Sequence, residues 1–165
     1  MEKERYSILF SSPTGNTKML AEAIQDALPK EDCDYFGPCK EVDSDMLYIG
    51  FWTDKGNADA ATLKLLETLK NKKIFLFGTA GFGVSEEYFQ RILNNVKKSI
   101  DASNTIVGKY MCQGKMPQSV RDRYVMMKAQ PDHMPNIDML IENFDQALTH
   151  PDKNDLNNLK NKIKA

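Results

Sequence analysis

Two runs, Met46 to Trp52 (MLYIGFW) and Lys73 to Gly78 (KIFLFG), constrain this chain more than any other feature, because they are apolar at nearly every position. A strand with one face in water alternates apolar with polar; a strand apolar throughout must be covered on both faces, as in a parallel sheet packed between helices. Arg5 to Ser11 (RYSILFS) and Asn104 to Cys112 (NTIVGKYMC), the latter broken by Gly108, read as further strands, with Asp34-Tyr35-Phe36 as a weaker one after Pro29. Between them the apolar residues fall at helical spacing: Leu20, Ile24, Ala27 and Leu28; Ala61, Leu65, Leu66 and Leu69; Phe89, Ile92, Leu93, Val96 and Ile100. Each set lies on one helix face. Strands alternating with amphipathic helices predict right-handed βαβ units. The expected class is therefore α/β, doubly wound, three layers α/β/α around a five-stranded parallel sheet of order 2-1-3-4-5.

At 165 residues the chain suits one domain, expected over 1–165. Ile137, Leu140, Ile141, Phe144 and Leu148 predict one more helix, and Leu156, Leu159 and Ile163 another, with Pro131, Pro135 and Pro151 at their boundaries. The core is expected to span about 5–148, with 151–165 as a C-terminal helical extension whose Lys160, Lys162 and Lys164 face water. Apolar residues at 41% and charged ones at 27% give a soluble balance, and no stretch approaches the ~20 apolar residues that span a bilayer, so no membrane association is expected. The N-terminal Met1-Glu2-Lys3-Glu4-Arg5 lacks the pattern of a secretory leader, which makes a cytoplasmic location the expectation. A net charge of −1 argues against nucleic acid as a partner, since neutralising phosphates requires clustered Lys and Arg. Cys33, Cys39 and Cys112 are odd in number and lack CxxC spacing, so neither a disulfide framework nor a metal site is indicated.

In an open doubly wound sheet, ligands bind beyond the carboxyl ends of the strands, where strand order reverses. That fixes which loops to inspect: Ser11 to Thr17 after the first strand, Thr53-Asp54-Lys55-Gly56-Asn57 after the third, Thr79-Ala80-Gly81-Phe82-Gly83 after the fourth, and Gln113-Gly114-Lys115-Met116 after the fifth. The first leads directly into a helix, whose unpaired N–H groups and positive dipole end suit a phosphate. Gly15 allows close backbone approach, and Ser12, Thr14 and Thr17 add hydroxyls. A dianion can be held there without Lys or Arg, as suits a phosphate that is bound and not transferred.

Ser12-Pro13-Thr14-Gly15-Asn16-Thr17 resembles the [Ser/Thr]-x-Thr-Gly-x-Thr phosphate loop of flavodoxins, in that family's place between first strand and first helix. The likeness in element order runs from about Arg5 to Leu148. It implies a flavodoxin-like fold and FMN as cofactor, its phosphate held by Ser12, Thr14, Asn16, Thr17 and the loop amides, including those beside Pro13 and Gly15. It further implies that the next two loops sandwich the isoalloxazine ring: Trp52, Thr53, Asp54, Lys55 and Gly56 on one side, and Thr79, Ala80, Gly81, Phe82 and Gly83 on the other. Trp52, the chain's one tryptophan, and Phe82 are the expected stacking rings, each with an ordinary core role as its alternative. Gly56 and Gly81 are expected to lend backbone freedom near the ring nitrogen N5. CQGKMP, from Cys112 to Pro117, resembles a bacterial flavodoxin-like subgroup of anaerobes.

Flavodoxins are often strongly acidic, whereas this chain is nearly neutral and carries Lys55 and Lys115 in two of the ring-edge loops. Nearby positive charge stabilises an anionic reduced flavin, so a less negative potential for the fully reduced couple is expected, the alternative being lysines that point into water. Cys112 reads as a buried, inert thiol, and His133 and His150 as exposed loop residues. Six of the nine methionines lie between Met111 and Met139, either as an adaptable docking surface or as core filling. Walker, dinucleotide-fingerprint, Cys-x5-Arg and Gly-x-Ser-x-Gly patterns are absent. The functional expectation is an FMN-dependent electron carrier between protein redox partners, monomeric or weakly dimeric, in which no side chain acts as acid, base or nucleophile. The alternatives are an FMN-dependent NAD(P)H oxidoreductase acting on a quinone or similar small substrate, and a flavin-free binding module on the same fold.

Overall fold

The computed structural model describes residues 4–82 and 85–164. Strands β1 (Tyr6–Phe10), β2 (Cys33–Pro38), β3 (Met46–Asp54), β5 (Lys73–Ala80) and β6 (Thr105–Gln113) form a parallel sheet in the order β2-β1-β3-β5-β6. This is the expected order once β4 (Asn57–Ala58) is set aside, a two-residue strand that pairs antiparallel with Thr53 and Asp54 at the end of β3. The weakly signalled strand is β2, at the sheet edge, where its partial exposure explains its weak apolar signal.

The nearly continuous apolar runs have the predicted cause. Leu47, Ile49, Phe51, Ile74 and Leu76 pack in a cluster with Leu65 and Leu66 of helix α2 (Ala60–Thr68) and Ile92, Leu93 and Val96 of α3 (Glu86–Lys97). Tyr48, Phe75 and Phe77 turn to the opposite face and meet Leu20, Ala21 and Ile24 of α1 (Asn16–Ala27). The glycines inside these runs are occupied by neighbouring rings. Paired across the ladder are Gly50 with Phe77, Gly78 with Phe51 and Gly108 with Phe75, and a Cβ on these glycines would lie 2.3, 2.4 and 2.6 Å from the opposing ring. Phenylalanine lying over glycine thus covers both faces of the central strands.

The C-terminal helix packs closer than expected. Helix α6 (Lys153–Lys164) lays Leu156, Leu159 and Ile163 into the same layer as α1, with Leu159 fully buried, so α6 is part of this core. The peripheral part is the pair inserted before it, α4 (Gln118–Lys128) and α5 (Ile137–Ala147). Helix α4 buries no residue, and α5 buries Ile137, Asn143, Phe144 and Ala147. Helical spacing identifies a face that needs covering but does not say what covers it.

Candidate functional site

At the carboxyl ends of the strands lies a cavity of about 500 Å³, within the usual range for a small-molecule or cofactor site. Pro13, Thr14 and Asn16 line it from the loop after β1; Trp52, Thr53, Lys55 and Gly56 from β3 and its hairpin; and Thr79, Ala80, Gly81 and Phe82 from the end of β5. Ser12, Gly15, Thr17 and Asp54 belong to the same loops but do not line it. Gly83 lies outside the described residues. Tyr88 of α3 and the run Gly114, Lys115, Met116, Pro117 complete the wall. The latter run is visible in the sequence as a strand-end loop. Tyr88 carries no such signal, being next to Phe89 in a helix whose inward face the spacing assigns to other residues.

Gly15 precedes α1 with φ of 90°, a conformation costly for any residue with a side chain. It turns the chain so that the first helical amides face the loop, and no acidic side chain stands in that first turn. Ser12 Oγ accepts a hydrogen bond from the Lys18 amide at 3.0 Å, capping the helix and leaving its own proton to donate. Asn16 is buried; its Nδ2 donates to the Lys115 carbonyl at 2.7 Å, while its Oδ1 is buried without a partner among the described residues. A buried acceptor left open costs ~1–3 kcal/mol, so this atom asks for a donor. Thr17 is fully buried; its hydroxyl donates to the Phe51 carbonyl at 3.1 Å and lies 3.2 Å from Thr79 Oγ1, tying α1 to β3 and β5.

The β3–β4 connection is a two-residue hairpin turn with Lys55 at φ 52° and Gly56 at φ 78°, both left-handed as such a turn requires. Asp59 accepts from the Trp52 amide at 3.3 Å and caps α2 through the Thr62 amide at 3.2 Å, so the hairpin stands on a helix terminus. Trp52 is half-buried, lines the cavity and belongs to neither of the two core clusters. Phe82 is likewise half-buried at the wall. The expected freedom at Gly56 and Gly81 meets two held carbonyls: Gly56 accepts from Asn95 Nδ2 at 2.9 Å, and Gly81 from Gln113 Nε2 at 3.1 Å and Asn143 Nδ2 at 3.0 Å. Lys55 and Lys115 stand exposed at the mouth.

Burial raises the Tyr88 hydroxyl, and burial, with smaller contributions from Asp155 and Asp152, pushes the Cys112 thiol far up, so it stays protonated and unreactive. His150, expected in an exposed loop, is half-buried with Nδ1 2.6 Å from Asp155. Asp155 and Asp152 reciprocally accept each other's backbone amides at 2.8 and 2.9 Å, a cap at the start of α6 that accounts for this cluster.

The family model for the flavodoxin domain matches residues 7–164. The flavodoxin-like domain-containing protein BilS of Clostridium symbiosum is 38% identical over 172 residues, covering 92% of this chain and 90% of that protein. Among solved structures, oxidised Flavodoxin 2 from Bacillus cereus superposes with a TM-score of 0.51 at 17% identity, over 86% of this chain and 98% of that one. A flavoprotein from Lactobacillus acidophilus, in complex with FMN, gives 0.50 at 16% identity, over 73% and 98%. At such identities the likeness of structures concerns the fold alone. With a match across nearly the whole sequence and a curated relative of this identity, the chain belongs to the flavodoxin domain family.

Proposed function

We propose that this protein binds FMN and passes electrons between protein redox partners. One observation carries the reading: a single cavity joins the loop at the start of α1 to a wall containing Trp52, Phe82 and Tyr88. A phosphate and a flat apolar ring system on one molecule match these two ends. The donor set fits the group. Helix-start amides and the Thr14 hydroxyl suit the phosphate, and the open Asn16 Oδ1 suits a hydroxyl of the ribityl chain, because a phosphate dianion has no proton to give it.

Bound FMN supplies the electron chemistry; the chain binds, orients and shields it. Trp52 and Phe82 exclude water from the ring, Asn16 joins the phosphate loop to the loop after β6, and Lys55 and Lys115 set the charge at the open edge. Absorbance of the purified protein, before and after addition of FMN, tests the reading, with flavin bands and identification of the released cofactor as the expected result. Protein that stays colourless and takes up no FMN rejects it, and rapid NAD(P)H oxidation by the protein alone moves the assignment from carrier to oxidoreductase. Thr14→Glu places a carboxylate where the dianion sits and is expected to abolish flavin uptake with an unchanged melting temperature. Thr17 is unsuited to this test, since its hydroxyl is part of the core.

A further inference from the structure

The loop after β5 is a thin wall. Gly81 and Phe82 line the main cavity on one side, while Phe82 and Asn143 line a groove of about 320 Å³ on the other, against α5. Within this wall the Gly81 carbonyl accepts two side-chain donors, Asn143 Nδ2 at 3.0 Å and Gln113 Nε2 at 3.1 Å, and Gln113 Nε2 also donates to Asn143 Oδ1 at 3.3 Å. The three groups form a closed set that fills both lone pairs of the carbonyl. Asn143 and Gln113 are each only 8% exposed, so releasing the carbonyl strands buried amides. Met116 blocks another side: a Cβ on Gly81 would lie 2.5 Å from its sulfur.

In a trans peptide the C=O and the following N–H point in opposite directions. With the Gly81 carbonyl captured by Asn143 and Gln113, the Phe82 N–H points the opposite way, in a wall whose other side is the main cavity, and no hydrogen bond to a described residue uses it. We infer that Asn143, with Gln113, is a positioning pair that fixes the Gly81–Phe82 peptide with its N–H offered to an acceptor atom of the bound ring, and so governs flavin affinity and potential. This rests on the FMN reading above. The inserted helix pair thereby acquires a role, since α5 holds the second ring wall from behind.

The test compares FMN-loaded wild type with Asn143→Leu and Asn143→Asp. The second keeps the shape, removes the donor and sets an oxygen against the Gly81 carbonyl. Both are expected to raise the FMN dissociation constant about tenfold, as loss of one hydrogen-bonded orientation implies, and to change the midpoint potential and the visible circular dichroism of the bound flavin. In wild type, the Phe82 amide resonance is expected to shift and its exchange to slow when FMN is added. Variants with wild-type affinity, potential and dichroism overturn the inference and leave the FMN reading standing. Should neither variant fold, the Phe82 amide in wild type decides: an unmoved resonance overturns the inference. Wild type that takes up no FMN overturns the FMN reading and the positioning pair with it.

Discussion

Gly78 faces the ring of Phe51 across the β3–β5 ladder, and the space is already taken: a methyl group there would meet the ring at 2.4 Å. Gly78→Ala is therefore expected to destabilise the fold by ~1–3 kcal/mol, the usual cost of overpacking, measured as a fall in the urea midpoint with unchanged slope. At the cavity mouth the relevant quantity is charge. Reversing Lys55 with Lys55→Glu is expected to lower the potential of the bound flavin by on the order of tens of millivolts, in a shift that shrinks with salt, because Lys55 is exposed and screened. A redox titration that finds no shift removes Lys55 as a source of that field. Individual residues are legible in the sequence unevenly. Thr14, Asn16, Trp52 and Phe82 stand out in glycine-bearing loops at strand ends and do line the cavity, whereas Thr17, of the same chemistry as Thr14, turns inward to Phe51 and Thr79. A hydroxyl at a loop–helix junction can point either way, and the choice is made by residues far along the chain.

Among the elements, the inserted pair α4–α5 stands apart. Helix α4 buries nothing and leaves Val125 and Met126 exposed, Met126 at 71%. Its ties to α5 include surface pairs, Arg121 with Asp145 at 2.8 Å and Lys128 with Asp138 at 2.6 Å, which contribute little each. Local stability follows buried apolar contact, so amides of α4 are expected to exchange hydrogen faster than those of α1 and α6, as read by mass spectrometry on peptides from each. Equal protection would show that α4 is held by more than these pairs. The methionine-rich region resolves into distinct settings at this scale: Met111 is core, Met116 packs against Gly81 at the cavity, and Met126, Met134 and Met139 are exposed.

For the whole molecule, acid stability follows from carboxylates held below their ordinary range. Hydrogen bonds from Ser103, then Lys70, bring Asp101 down to about 2; Ser44 and Arg5 lower Asp34; Arg121 lowers Asp145; and the Asp155 amide lowers Asp152. A folded-state pKa below the unfolded one stabilises the protein fully above about pH 4, and this contribution disappears as the pH falls toward 2. Melting temperature is expected to fall across that window, and Asp101→Asn to fall less steeply there while melting lower at neutral pH. At the alkaline end burial lifts Tyr6 to about 12, so its contribution is complete below pH ~10 and is lost on rising through 12.

The periods of the apolar pattern, together with the glycine-bearing loops, determined that this chain makes five parallel strands between helices and places its chemistry at their carboxyl ends, because burial on two faces and on one face leave different repeats. Periodicity could not tell that α6 joins the layer of α1, nor a hydroxyl that faces a cavity from one that faces the core. It also could not show that Asn95, Gln113 and Asn143 hold the carbonyls of the two ring loops. Those contacts join residues up to 62 positions apart, as with Asn143 and Gly81 or Thr17 and Thr79. Only the packed layers bring such groups within hydrogen-bond reach, and a side chain's direction is fixed by the neighbours it meets there.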